Sequence, residues 1–197
     1  MSALPKPKSQ ITIDEYLLGE QESAIRHEFV AGDIFAMAGG SDRHNRISFN
    51  LASLLDRKLK GTDCEVFIAD LKVKADNDTF YYPDVFVTCE QRPQSPYFRE
   101  QPVLIIEVVS PSTRQIDRRE KLKVYRLIPS LKEYVIVEQD RKHVEVHRRE
   151  PDGNWTTYFF NELEQKAVVE FQSVDLSTEI GAIYDRVLVE IGEGSSE

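Results

Sequence analysis

The stretches YYPDVFVT, residues 81–88, and PVLIIEVVS, residues 102–110, decide the fold of this chain. The second is a continuous apolar run, which predicts a central strand over Val103–Val109 that is buried on both faces. Each stretch also contains one carboxylate, Asp84 and Glu107. In a strand, Glu107 shares its face with Ile105 and Val109. An uncompensated carboxylate in such a place costs several kcal/mol, so it needs a proton, a cationic partner or a metal.

Two strand carboxylates favour a metal, because like charges resist joint ionisation unless a cation lies between them. Hard oxygen ligands without a Cys or His cluster favour Mg²⁺ or Mn²⁺ over zinc. Such an ion lowers the pKa of bound water and stabilises charge on a phosphoryl oxygen. A neighbouring lysine would orient that water or neutralise the transition state. The residues therefore predict a hydrolytic metal site at Asp84 and Glu107.

The chain up to the central strand is predicted to form two helices and two pairs of strands. The spacing and caps predict a capped helix over Ile13–Leu18 that ends at Gly19, and a hairpin of 26–30 with 34–37. A longer helix over 42–60 places His44 toward its buried side, at its N-terminal end. Alternation predicts a strand over Glu65–Ala75 that pairs antiparallel with Tyr81–Thr88.

After the central strand, Ser112 or Thr113 is predicted to cap a basic helix that ends before Pro129. Three predicted strands follow, over residues 133–138, 144–148 and 155–160. The last forty residues are less defined. Ala167–Phe171 is predicted to be a strand, and Ile183–Ile191 fits either a strand or a helix. The pattern predicts an α/β (α+β) fold with a mixed central β-sheet flanked by helices, in one domain over residues 1–197 with flexible tails at about 1–10 and 192–197.

Composition is that of a globular protein, with 41% hydrophobic residues and ten Phe. No apolar run reaches the roughly 18 residues of a membrane span, and the polar N-terminus lacks a signal-peptide core. Cys64 and Cys89 lack metal-ligand spacing and are expected to be free thiols. These features predict a cytoplasmic protein without a membrane partner.

The net charge of −9 argues at first against a polyanionic partner. The acidic excess lies in residues 150–197, however, which hold eleven acidic and two basic residues, so the first 149 residues are neutral overall. Within those, Arg114–Arg126 holds six basic and two acidic residues. Because steering depends on the local field, this helix is a candidate nucleic-acid contact, although a solvated helix face explains it equally well.

Several motifs resemble the PD-(D/E)XK nuclease superfamily, and more narrowly a restriction-endonuclease-like family formerly described as a domain of unknown function. The resemblance covers roughly Thr12 to Phe160. It is carried by HEFVAGDIFAMAGGSDRHNRI from His27, YYPDVFV from Tyr81, IIEVVSPSTRQIDRREKLKVY from Ile105 and PSLKEYVIVE from Pro129. It implies a restriction-endonuclease-like core with Asp84 and Glu107 as metal ligands.

One position departs from the superfamily pattern. The resemblance implies a lysine two residues after the second carboxylate, where this chain has Val109. Lys121 is the best replacement by its place in the family-like motif, with Lys72 and Lys74 as alternatives. The resemblance also implies Glu28 as a further acidic site residue.

The predicted nucleic-acid contacts are a set of basic and imidazole side chains: Arg114, Arg118, Arg119 and His44. Three of the candidate site residues have a structural alternative: Lys121 as a helix-surface ion-pair partner of Asp117, Glu28 as a hairpin-surface carboxylate and His44 as a hydrogen-bonded structural residue.

No Gly-rich phosphate loop, G-x-S-x-G elbow, H-E-x-x-H or CxxC motif is present. His143 and His147 lie four apart in a predicted strand, about 13 Å along the chain and too far to chelate one ion. The sequence thus predicts a Mg²⁺- or Mn²⁺-dependent endonuclease acting on DNA, with duplex DNA and a homodimer expected by analogy. Two rivals remain: a nucleic-acid-binding or assembly module that has lost catalysis, and a hydrolase of small phosphoesters.

Overall fold

The structure, a computed structural model, describes residues 11–110, 117–161 and 167–189; for Asp117 it describes the backbone alone. The predicted tails, the capping residues Ser112 and Thr113, and Arg114 lie outside the described residues. None of the helices in the described ranges is both long and apolar enough to cross a membrane.

The chain begins with a capped helix and a tight hairpin. Helix α1 (Ile13–Glu22) has the predicted capping box, in which Thr12 and Glu15 satisfy each other's backbone N–H groups. The predicted end at Gly19 is wrong, because α1 continues to Glu22 and buries Glu20 against His27. The hairpin is confirmed as β1 (His27–Val30) and β2 (Asp33–Ala36), joined by two residues with positive φ, Ala31 at 50° and Gly32 at 87°.

Helix α2 (Asp42–Leu59) follows the hairpin and confirms the predicted second helix. Four aliphatic side chains at helical spacing are buried on one face: Ile47, Leu51, Leu55 and Leu59. They pack with Leu104, Ile106 and Val108 of the central strand in one core cluster. Ile105 and Val109 lie in a second cluster on the opposite face. The predicted burial of this strand on both faces is therefore confirmed.

The described strands form three sheets. The five-stranded sheet has the order β2-β1-β5-β4-β7, from β4 (Lys72–Lys74), β5 (Thr79–Tyr81) and β7 (Phe98–Arg99) with the hairpin. The six-stranded sheet has the order β11-β10-β9-β8-β6-β3, from β3 (Glu65–Ile68), β6 (Val85–Thr88), β8 (Pro102–Val109), β9 (Glu133–Glu138), β10 (His143–Arg149) and β11 (Trp155–Asn161). Strands β8 and β9 pair in parallel while their other neighbours pair antiparallel, so this central sheet is mixed. The predicted fold class is confirmed.

Two strands that the sequence predicts as continuous are each divided between the two larger sheets. The antiparallel pairing is confirmed, because β3 pairs with β6 and β4 with β5. The prediction that each strand is continuous is wrong. The first strand is interrupted at Ala69, which has a φ of 45°. The second is interrupted at Pro83, whose nitrogen cannot donate a hydrogen bond to a β-ladder. The N–H of Ala69 donates to the carbonyl of Asp84 across this corner.

A π-helix over Asp117–Lys121 and helix α3 (Leu122–Tyr125) occupy the second half of the predicted basic helix. The C-terminal part contains β12 (Val168–Phe171), a 3₁₀ helix (Gln172–Val174), β13 (Leu176–Glu179) and helix α4 (Ile180–Ile183). Of the region that fitted strand or helix, residue 183 ends α4, and residues 184–189 have no helix or strand.

Cys64 and Cys89 form a disulfide, so the expectation of free thiols is wrong. Glu65 pairs with Thr88 in the antiparallel ladder of β3 and β6, and the next residues outward are the two cysteines. Strand register thus brings together two thiols that lie 25 residues apart in the sequence. The cytoplasmic location loses the support of free thiols and stays a prediction.

Candidate active site

Asp84 and Glu107 meet where the divided hairpin crosses the central strand. Val85 pairs with Ile106, which brings Asp84 beside Glu107 at the next position along the two strands. Oδ2 of Asp84 accepts a hydrogen bond from the backbone N–H of Val108 at 2.7 Å. Glu107 is 4% exposed and therefore needs compensation for its buried charge.

Lys121 supplies that compensation. Its Nζ lies 3.1 Å from Oε1 of Glu107 and 2.8 Å from Oε1 of Glu28, and it is buried. The ammonium also lies over the ring of Tyr81, 5.3 Å from the ring centroid. The lysine that the central strand lacks at Val109 is thus replaced in space by one on the following helical segment.

The two alternative lysines point elsewhere. Lys72 is buried and donates a hydrogen bond to the hydroxyl of Tyr82, and burial lowers the pKa of its ammonium. Lys74 forms an ion pair with Glu100 at 2.8 Å. Of these three lysines, Lys121 is the one with a contact to Glu107.

Glu28 reaches the site from β1 of the other sheet. Its Oε1 is buried and, besides the Lys121 ammonium, has no hydrogen-bond partner among the described residues. Glu28 is therefore more than a hairpin-surface carboxylate, because it shares one cation with Glu107.

Two tyrosines lie beside this ion pair, Tyr125 against Glu107 and Tyr81 against Lys121, and the sequence interpretation missed both. The hydroxyl of Tyr125 donates to Oε1 of Glu107 at 3.1 Å, and burial raises the pKa of this phenol well above its usual value. Burial first, and then the charge of Glu28, raises the pKa of Tyr81 to about 12. Both phenols therefore stay protonated at neutral pH. The signal for Tyr125 was its position four residues after Lys121, on the same helix face.

His44 joins the site from the N-terminal turn of α2. Its Nε2 lies 3.1 Å from Oδ1 of Asp84. Ser41 caps the helix by accepting from the N–H of His44. Gly40 provides the space for the ring, because a Cβ there would lie 2.7 Å from Nδ1 of His44.

The two predicted nucleic-acid contacts in the π-helix, Arg118 and Arg119, differ in whether their guanidinium groups are already bound by carboxylates. The guanidinium of Arg118 is hydrogen-bonded to Glu138 and Glu145. Arg119 is exposed to solvent beside it, in the π-helix. A nucleic-acid contact by this segment would therefore fall on Arg119 more readily than on Arg118.

The donor set fits a divalent cation in its chemistry. Glu28, Asp84 and Glu107 offer carboxylate oxygens, the ligands that Mg²⁺ and Mn²⁺ prefer. Two of these carboxylates already converge on a single cationic atom, Nζ of Lys121. Side-chain rearrangement would accompany metal binding, since the ammonium lies between two of the ligands.

A second cluster lies farther along the sheet. Ligand atoms of Glu138, His143 and Glu145 lie within 4.8 Å of one another, the only such triplet in the described ranges. Arg118 and Arg141 both contact Glu138, and Arg118 also contacts Glu145, so guanidinium groups already neutralise these carboxylates. We regard this cluster as a buried ion-pair network that anchors the π-helix to β9 and β10.

Known proteins with a similar sequence or a similar fold identify the family of this chain. Residues 13–179 match the model of the Uma2 family, described as "Putative restriction endonuclease". Two uncharacterized proteins of Synechocystis are each 35% identical: slr1290 over 90% of this chain and 93% of the relative, and sll1609 over 74% and 84%. A crystal structure described as a "putative nuclease belonging to DUF820", from Anabaena variabilis, has a TM-score of 0.73 at 21% identity and covers 90% of this chain and 99% of that one. The chain therefore belongs to the Uma2 family, and the resemblance to restriction-endonuclease-like proteins is confirmed.

Proposed function

We propose that this protein is a metal-dependent endonuclease that hydrolyses phosphodiester bonds of DNA. The observation that carries the proposal is the convergence of Glu28, Glu107 and Lys121, with Asp84 on the adjoining strand. Membership of the Uma2 family, described as "Putative restriction endonuclease", supports nucleic acid as the substrate.

In this proposal Asp84 and Glu107 hold Mg²⁺ or Mn²⁺, and Glu28 adds a third carboxylate. When bound, the ion would lower the pKa of a water molecule and would add positive charge near the phosphoryl oxygens. Lys121 carries a second positive charge that orients the water or neutralises the pentavalent phosphate. Tyr125 keeps Glu107 oriented, and His44 keeps Asp84 oriented. Arg119 contacts a backbone phosphate outside the site.

The test is nicking of supercoiled plasmid DNA with Mg²⁺ or Mn²⁺. We expect Asp84→Asn, Glu107→Gln and Lys121→Met each to lower the cleavage rate by on the order of 10²-fold or more. Asp70→Asn is the matched control, because this side chain is 78% exposed and pairs with Arg26 at the surface. Thermal unfolding of each variant separates loss of chemistry from loss of fold. Cleavage that survives in both Asp84→Asn and Glu107→Gln would contradict the proposal.

A second candidate is a nucleic-acid-binding module on the same fold without catalysis. The observation in its favour is that Lys121 can neutralise Glu28 and Glu107 without any metal, while Val109 stands where the resemblance implies a lysine. This candidate predicts DNA binding with a steep salt dependence and no cleavage with either ion. The homodimer and the duplex preference stay predictions, which sedimentation velocity and matched single-stranded and duplex substrates would test.

A further inference from the structure

Phe35 lies beside the candidate site on the edge of the five-stranded sheet. The antiparallel register of β1 and β2 places Phe35 directly opposite Glu28. Residues directly opposite on such strands project from the same face, with Cα atoms about 4.5–5.5 Å apart. Phe35 is therefore a neighbour of the carboxylate that pairs with Lys121.

The ring of Phe35 is left in solvent. Phe35 is 54% exposed, and it belongs to none of the three hydrophobic clusters of the described residues. Strand β2 is the edge strand of its sheet, and all four of its residues are exposed. Burial in a hydrophobic cluster of the described residues therefore does not account for an aromatic residue at this position.

The residues around Phe35 favour contact with a flat ring, such as a nucleic-acid base, over contact with another protein. Ile34, the other exposed large apolar residue of β2, is paired with Phe29 and projects to the opposite face, which α1 covers. Phe35 shares the face of Glu28 with Asp33 of its own strand and with Val30, the partly buried partner of Asp33. Phe35 is the one exposed large apolar residue on this face of β1 and β2, and a single ring is far smaller than the apolar patches that mark protein contacts, which run to several hundred Å².

We infer that Phe35 stacks on a base of the substrate, and that the site takes a nucleic acid with an unpaired or flipped base next to the bond to be cleaved. The inference rests on the proposed function and names the form of its substrate. Stacking on an aromatic side chain tolerates any base, because every base presents a π face. Within a duplex this face is covered by neighbouring base pairs, so the target base must leave the stack.

The test measures binding in EDTA, so that cleavage does not interfere. Fluorescence anisotropy would compare a labelled single-stranded oligonucleotide with one of equal length that carries abasic sites at alternate positions. We expect Phe35→Ala to weaken binding to the first about 5- to 150-fold, the range that corresponds to one lost base stack. Binding to the abasic oligonucleotide is expected to change much less, and Phe35→Trp is expected to restore affinity. Phe159→Ala is the matched control, because Phe159 is 61% exposed on β11, the edge of the other sheet.

Three results would overturn the inference. Phe35→Ala could bind as the unmodified protein does, could lose equal affinity for both oligonucleotides, or could change the oligomeric state in size-exclusion chromatography while binding remains the same. The last result would assign Phe35 to a contact between two copies. None of these three results contradicts the proposed function if plasmid cleavage still depends on Asp84 and Glu107. Loss of that dependence would refute the proposed function by itself.

Discussion

Tyr125 shows how one hydroxyl supports a buried charge. It is fully buried, and its O–H donates to Oε1 of Glu107, the atom that also contacts Lys121. Removal of the donor leaves a buried carboxylate oxygen with one partner fewer, which costs more than the loss of an exposed hydrogen bond.

We therefore expect Tyr125→Phe to lower the free energy of unfolding by about 1–3 kcal/mol, measured by urea denaturation. Tyr97→Phe is the control, because Tyr97 is 48% exposed in a loop and should change little. Equal effects of the two substitutions would contradict the role assigned to the Tyr125 hydroxyl.

Gly40 and Gly39 provide a matched pair at the α2 N-terminus. A Cβ at Gly40 would lie 2.7 Å from the His44 ring, whereas a Cβ at Gly39 would meet nothing within 4 Å. We expect Gly40→Ala to turn the ring away and to lengthen the distance of 3.1 Å between His44 Nε2 and Asp84 Oδ1.

Crystal structures of both variants would measure that distance, and Gly39→Ala should preserve it. An unchanged contact in Gly40→Ala would show that the backbone, rather than the ring, moves to make room.

At the scale of elements, the divided hairpin places the site. Asp84 lies at the corner where the chain passes from β5 to β6, while Glu28 comes from β1 and Lys121 from the π-helix. The pairing of these strands was predictable from alternation and turn residues. The division of this hairpin between two sheets was not predictable from the sequence. Each half of the hairpin keeps the alternation of a strand, and only tertiary packing assigns the two halves to different sheets.

The disulfide between Cys64 and Cys89 joins β3 and β6 at the end of this hairpin. Because it constrains the unfolded chain, we expect its loss to lower the free energy of unfolding by roughly 2–4 kcal/mol. Denaturation with and without a reductant would measure the change, and the double substitution Cys64→Ser with Cys89→Ser should make stability insensitive to reductant. Titration of two free thiols in the native, unreduced protein would contradict the bond.

At the scale of the whole molecule, a buried titratable side chain makes stability depend on pH. His147 is stacked on Tyr134, and its Nδ1 lies 2.8 Å from Oγ1 of Thr157. Burial lowers the pKa of its imidazole to about 4; Glu145 opposes this shift, while Arg126 and Arg118 add to it.

Between pH 6.5 and 4 the unfolded chain binds a proton at this position that the folded protein does not. The contribution of His147 is therefore complete above pH 6.5 and is lost as the pH falls toward 4, up to roughly 3 kcal/mol. Urea denaturation across this range would measure it, and His147→Gln should flatten the pH dependence. A steeper loss of stability at low pH in His147→Gln would contradict the sign.

The sequence by itself determined the local features: the capping box of α1, the first hairpin, the amphipathic α2, the doubly buried β8 and the two carboxylates that need a cation. These follow from periodicity, turn chemistry and the cost of buried charge, which act over a few residues. The tertiary structure alone decided which lysine reaches Glu107, that Tyr125 holds this carboxylate, that Arg118 pairs with Glu138 and Glu145, and that Cys64 meets Cys89. Those contacts join residues distant in the chain, and strand register and sheet assignment, which no local pattern specifies, bring them together.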